Sequence, residues 1–471
     1  MKKYSIAVLI IVILNFLIRI PFLNFPVHWD ESVYFSGSLA TLNNRLNPFI
    51  EFWSYKPPFI FELTALFYKL FGISRWMPRL IVALLSSLSI FLTYQLGKKI
   101  FNYKVGFWAS VLLFLNPLFF TQSNFFHAAI PLTALFLVTI YFYLHKKLGF
   151  YLLSASLLVL TKEPAILIII SLACFDFLVN FRKTTFGKLI RRELVILSPL
   201  LFFIAWVLLN KHFLGWYLWP YNTSYFSLST RPYGRSPFSD FFSVAFQEHC
   251  SWFIFGLIFF VSFLSIQIVS LRKKIFNKWF FYFFSLAVIF PFIFYFGAFL
   301  PRYYLFTFPG LFLAFVWVLE KVFKREKMKI LVLTVICFFF LAIPIRHLFF
   351  PKEVPKWSGE RDMSYLKMIR VVKSTSDFIQ KEAGDNLIIT RWPVTMAISS
   401  PFLGYVDVPP KRVVEYRDCQ QLDNFYVDSL LVFPLLNIPI FDKAWDFDCI
   451  EMKGFRLIKE IEWVKIYQRT I

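Results

Sequence analysis

Two adjacent carboxylates, Asp30 and Glu31, stand in the run His28-Trp29-Asp30-Glu31-Ser32-Val33-Tyr34, just after a strongly apolar stretch. One member of such a pair can deprotonate an acceptor or bind a divalent metal while the other orients it. The pair also suits plain capping, because carboxylates are favoured at the positive end of a helix. Three cations stand in settings of their own. Lys56 precedes Pro57-Pro58 at an expected helix start, where free N–H groups gather and a phosphate would be held. Lys162 lies in Thr161-Lys162-Glu163-Pro164, and Arg302 in Leu300-Pro301-Arg302-Tyr303-Tyr304. Singly, Lys162 or Arg302 can merely snorkel to a membrane surface; three cations on one face are better explained as a phosphate pocket. His249, beside Glu248, is a candidate metal ligand.

The elements that must position these groups are set by composition. The 471 residues are 58% hydrophobic, 21% aromatic and only 17% charged, well above the roughly 45–50% apolar usage of soluble domains. Apolar runs close to the length of a bilayer core recur through the first 345 positions. The net charge of +22 raises nucleic acid as a partner. Its distribution excludes it: residues 351–471 hold 17 Lys and Arg against 17 Asp and Glu, so the excess, 33 against 11, lies in the apolar part. There it clusters in short loops, including Lys98/Lys99/Lys104, Lys146/Lys147 and Arg182/Lys183/Lys188/Arg191/Arg192, the signature of cytoplasmic loops.

Alternating basic with unbasic loops gives an α-helical polytopic membrane protein of about 11 spans with its N-terminus inside. The expected spans are 5–25, 78–97, 105–122, 130–145, 148–161, 164–180, 193–210, 250–270, 279–298, 302–320 and 328–346. The first is read as uncleaved, since no small-residue cleavage site follows it. Residues 58–71 are short for a span and carry Glu62 and Lys69, so they are expected as an in-plane amphipathic helix. A first in-plane helix is expected from Asp30 to about Leu42, ended by Asn43-Asn44. Both lie in the external loop 26–78. The break at Thr161-Lys162-Glu163-Pro164 is of the kind that lines a cavity.

The chain divides into a membrane domain, 1–350, and a small extracytoplasmic α/β domain, 351–471. The second has a helical stretch near Met363–Glu382 and strand-like runs at Leu387–Trp392, Leu430–Leu435 and Phe455–Tyr467. Cys174 and Cys337 fall in apolar runs, whereas Cys419 and Cys449 either pair outside the cytoplasm or stay free thiols. The external loop 211–249 is rich in Trp and Tyr, which suits the membrane interface or a lid, and includes the acceptor-like triplet Asn222-Thr223-Ser224.

The motif order resembles the GT-C glycosyltransferases, in particular the protein mannosyltransferase and aminoarabinose transferase group. The order is Asp-Glu with a following Tyr, Lys-Pro-Pro about 25 residues on, Phe-Gly with an Arg-led span, Thr-Lys-Glu-Pro, then Pro-Arg-Tyr. The resemblance covers most of residues 10–320. It implies a cell-membrane transferase that moves a sugar from a polyprenyl-phosphate donor, with inversion, to a protein, lipid or glycan acceptor outside the cytoplasm. Asp30 would be general base with Glu31 in support; Lys56, Lys162 and Arg302 would hold the lipid phosphate, with Tyr34 in the substrate site. Many relatives place a second Asp just before span four. Here that region reads His127-Ala128-Ala129-Ile130-Pro131, with His127 or Asn124 as partial substitutes. Some relatives hold a divalent metal nearby, a possible cofactor left unassigned here. Two other readings use the same features: a polyprenyl-phosphate-sugar transporter or flippase, for which repeated halves are expected and none is seen, and an inactive lipid-binding relative.

Overall fold

The computed structural model describes residues 2–28, 30–49, 56–218, 277–295, 301–349, 363–416, 421–422, 428–434 and 454–469. The expected span 250–270, His249, the Asn222 triplet, Cys419 and Cys449 lie outside these residues. The chain forms two compact units.

Unit one comprises Met1–Ile20, Tyr34–Ile73 and Met77–Ile343 and is helical. Its helices are α1 (Lys2–Arg19), α2 (Asp30–Asn43, entering at Tyr34), α3 (Phe59–Phe71), α4 (Trp76–Ile100), α5 (Tyr103–Leu115), α6 (Pro117–Gln122), α7 (Ala129–Leu144), α8 (Leu148–Val159), α9 (Ala165–Asn180), α10 (Phe186–Leu197) and α11 (Leu200–Leu214). After residues 219–276 come α12 (Lys278–Tyr295), a 3-10 segment Pro301–Thr307, α13 (Phe308–Val322) and α14 (Glu326–Phe349).

Four stretches among the described residues are long and apolar enough to cross a membrane: Lys2–Phe22, Trp76–Ile100, Arg302–Val322 and Glu326–Arg346. The pair α10 and α11 would make a fifth, bent by 48°. The remaining apolar helices, α5, α7, α8, α9 and the Lys278–Phe290 part of α12, are shorter. The two helices expected at Asp30–Leu42 and 58–71 are present as α2 and α3, within a residue of their expected ends.

The sequence explains most boundaries. Asn102 caps α5 by accepting the N–H groups of Lys104 and Val105 at 2.9 Å. Asn116 then ends α5 and accepts the N–H of Phe119 at 3.0 Å, with Pro117 opening α6, so the expected span 105–122 is two helices. At the start of α3, Pro58 is the cap residue and Phe59 the first helical one, so neither proline is inside the helix. The packing of α4 on α5 depends on paired glycines: a Cβ on Gly97 would lie 2.4 Å from Cα of Gly106, and one on Gly106 2.5 Å from the Tyr94 carbonyl. Polar pairing ties α1 to α4, where Asn15 donates to Ser86 and Ser87 at 2.9 Å each.

Unit two comprises Pro21–Val33, Ser74–Trp76 and Pro344–Ile471. Helix α15 (Tyr365–Glu382) and the short α16 (Val394–Ile398) accompany five strands: β1 (Leu387–Thr390), β2 (Val413–Glu415), β3 (Ser429–Pro434), β4 (Arg456–Ile461) and β5 (Val464–Arg469). The order is β2-β1-β3-β5-β4, with β1 parallel to β2 and β3 and β5 antiparallel to both its neighbours. Leu387, Ile389, Leu431 and Tyr467 meet in the core with Tyr416 and Phe455. The run expected as one strand at Phe455–Tyr467 is a hairpin turning at Glu462 and Trp463.

Candidate functional site

The acidic pair is held within unit two. Val27 N–H donates to the Leu403 carbonyl at 2.9 Å, and the His28 imidazole lies 5.6 Å from the Tyr365 ring on α15. Gly404, at φ 85°, has Arg75 against the place a Cβ would occupy, so a side chain there would displace the guanidinium. These contacts anchor the chain just before α2 to the sheet domain.

The two carboxylates then part company. Glu31 is fully buried, and its carboxylate accepts the backbone N–H of His28 at 3.1 Å. That bond closes the turn that leads into α2. Asp30, the first residue of α2, is exposed. An exposed carboxylate at this point is accessible to an incoming hydroxyl, whereas Glu31 is engaged in shaping the turn.

Unit one gathers the cations. Tyr34, on α2 and buried, accepts a hydrogen bond from Lys56 Nζ at 3.2 Å, and the same ammonium lies 4.4 Å from the centre of its ring. Phe59 N–H, at the start of α3, donates to the Leu160 carbonyl at 3.0 Å. That single bond joins the Lys-Pro-Pro turn to the Thr-Lys-Glu-Pro break, two motifs about a hundred residues apart. Lys162, from the break, stacks 3.7 Å over the Tyr303 ring, and the Arg302 guanidinium lies 5.5 Å from the same ring. Two like charges beside one aromatic ring are tolerated because the ring's faces are negative, and an anion near both would be favoured further.

Tyr34 also reaches the stretch where the second Asp is missing. Its ring lies 5.6 Å from His127 and 5.9 Å from Phe126. His127 is buried, stacks on Phe125 at 5.4 Å, and faces the Gln122 side-chain oxygen at 3.5 Å. The structure therefore groups Tyr34 with Lys56 and His127, and Lys162 with Arg302 through Tyr303. Tyr303 and Gln122 were given no role from sequence, since a tyrosine beside a membrane span and a lone glutamine carry no distinctive spacing. Among the described residues no three His, Cys, Asp or Glu side chains come together as a metal cluster.

Glu62, on α3, is half-buried and its Oε1 has no hydrogen-bond partner among the described residues. Burial pushes its carboxyl up to about 7.

Residues 55–209 match the family model described as dolichyl-phosphate-mannose-protein mannosyltransferase. No curated protein sequence matches the chain. Among solved structures, the apo form of ArnT from Cupriavidus metallidurans is similar over 100% of this chain and 98% of its own, at 14% identity and a TM-score of 0.61. The same protein bound to undecaprenyl phosphate gives 14% identity, the same coverage and 0.59. The archaeal oligosaccharyltransferase AglB from Archaeoglobus fulgidus, in complex with an inhibitory peptide and a dolichol-phosphate, is similar over 88% of this chain and 65% of its own. Its identity is 10% and its TM-score 0.50. The fold of this chain is the GT-C fold, a helical membrane domain with a small C-terminal sheet domain.

Proposed function

We propose that this GT-C protein takes a sugar from a polyprenyl-phosphate carrier and passes it, with inversion, to an acceptor hydroxyl outside the cytoplasm, from a place in the cell membrane. The observation that carries this reading is that Lys162 and Arg302 share the Tyr303 ring, while the Phe59–Leu160 bond sets the turn after Lys56 against the break before Lys162. A polyprenyl phosphate keeps its apolar tail in the bilayer and its phosphate at the surface. Cations on short interfacial elements beside membrane helices suit both ends of it. The ligands in the ArnT and AglB structures, undecaprenyl phosphate and dolichol-phosphate, are of the same chemical class.

In the proposed reaction the acceptor oxygen attacks the anomeric carbon from the face opposite the phosphate. The acceptor proton passes to the carboxylate of Asp30, while the carbon–oxygen bond to phosphate breaks and its electron pair leaves with the phosphate. Lys56, Lys162 and Arg302 stabilise the charge that develops there. Asp30 and Tyr34 stand four residues apart in the sequence of α2. Glu31 is a positioning residue that fixes the start of that helix through His28. The sheet domain faces outward in this reading and anchors the same turn.

Incubation of the purified protein with radiolabelled polyprenyl-phosphate sugars and protein, lipid and glycan acceptors tests the proposal. Label should move to one acceptor class. Passage of the carrier across a vesicle bilayer with no sugar transferred would favour a transporter instead.

A further inference from the structure

We infer that a second site in unit one, a cationic pocket between the end of α7, the start of α8 and α10, binds the phosphate headgroup of an anionic membrane lipid. The pocket has a volume of about 460 Å³, and its wall carries Lys146, Lys147, Lys188, Arg191 and Arg192. The aromatic rings of Tyr143 and Tyr151 complete it.

The pocket is built into the packing. The Tyr151 hydroxyl donates to the Ile196 carbonyl at 2.8 Å, which ties α8 to α10. Arg192 donates to the buried Asp176 at 2.6 Å and to the Tyr143 hydroxyl at 3.3 Å, and Tyr143 itself donates to Asp176. Asp176 thus accounts for Arg192, and the one further carboxylate nearby among the described residues is Glu193, a buried residue of α10 itself. Lys146, Lys147, Lys188 and Arg191 are exposed and form no ion pair among the described residues. Four uncompensated cations around one concave surface call for an anion.

The surface of α10 identifies that anion as part of a lipid. Leu189 and Ile196 pack inward, while Phe186, Ile190 and Leu194 form an exposed apolar row at four-residue spacing. Lys188, Arg191 and Arg192 occupy the side away from that row. Leu148 and Phe150, at the start of α8, are exposed as well. A helix with apolar, packing and cationic faces suits a membrane interface, so we take α10 as the interfacial arm of the bent α10–α11 pair, apolar row toward the acyl chains. The density of basic residues in these two loops places that interface on the cytoplasmic side, where basic pockets between helices take anionic headgroups. This pocket is distinct from the Lys162 cluster, because α8 runs between them over 12 residues, about 18 Å.

Binding of short-chain phosphatidylglycerol, phosphatidylcholine and inorganic phosphate to the detergent-purified protein tests the inference. Phosphatidylglycerol should bind saturably and phosphatidylcholine should not. Each cation near a membrane surface contributes about fivefold, so Lys147→Gln with Arg191→Gln should weaken phosphatidylglycerol about thirtyfold. The charge-conserving Lys147→Arg with Arg191→Lys should bind like wild type, which separates lost charge from lost fold. Unchanged affinity in the first variant would overturn the site. Inorganic phosphate binding as tightly as phosphatidylglycerol would make it a site for a soluble anion and overturn the lipid assignment.

Discussion

The Lys56 ammonium lies 4.4 Å from the centre of the Tyr34 ring and donates to its hydroxyl at 3.2 Å. The ring holds the cation by its face and its edge, so the charge is oriented before the proposed phosphate arrives. Removing a hydrogen bond to a charged group costs about 1.5–3 kcal/mol, or about ten- to a hundredfold in affinity. Lys56→Ala should therefore raise the donor dissociation constant by that factor. Tyr34→Phe keeps the ring and should lose less than about fivefold. Equilibrium binding of a labelled polyprenyl-phosphate sugar checks both, and equal losses in the two variants would mean that the ring does not orient the lysine.

Lys162 and Arg302 share the Tyr303 ring, at 3.7 Å and 5.5 Å from its centre. Arg302→Ala should weaken donor binding while leaving the rate at saturating donor within a few fold of wild type. Tyr303→Leu removes the ring that both cations approach and should cost as much affinity as either cation alone. Steady-state kinetics with varied donor separate the two parameters. A variant whose rate collapses with donor affinity intact would place Arg302 elsewhere in the reaction.

Much of this arrangement was legible in the chain. Helix α2 starts at Asp30, where the acidic pair marks it in the chain, and α3 is readable from its short apolar run with Glu62 and Lys69 inside it. The break between α8 and α9 is visible in Thr161–Pro164 because a proline and charges interrupt an apolar run. What escaped lay in contacts. The Phe59–Leu160 bond joins backbone groups about a hundred residues apart, and no side chain announces it. Helix α10 begins before the expected span 193–210, because its charges line one helical face although in sequence they cluster as a loop does. The hairpin between β4 and β5 turns at Glu462, in the left-handed region at φ 51°, without the glycine or asparagine that normally marks such a turn.

Glu62 gives the account a pH dependence. Its native carboxyl titrates near 7 against a usual value of 4.5, because burial disfavours the charged form. Between those values the folded protein binds a proton that the unfolded chain has lost. Stability from this group is therefore present below about pH 4.5 and is lost as pH rises through about 7. Glu62→Gln, which never ionises, should melt progressively higher than wild type as pH rises from 5 to 8. A difference in melting temperature that stays constant over that range would show that the side chain is solvated in solution.

The acidic pair decides the central claim, since Asp30 is exposed while Glu31 is buried and bonded to His28 at 3.1 Å. General-base catalysis contributes about a hundred- to ten-thousandfold. The measurement is single-turnover sugar transfer from a polyprenyl-phosphate donor by wild type, Asp30→Asn and Glu31→Gln, with donor binding followed in parallel. Asp30→Asn should lose at least a hundredfold in rate with donor affinity unchanged, and Glu31→Gln, whose amide oxygen can still accept the His28 N–H, should stay within about tenfold of wild type. An Asp30→Asn protein that transfers sugar at the wild-type rate would contradict the account.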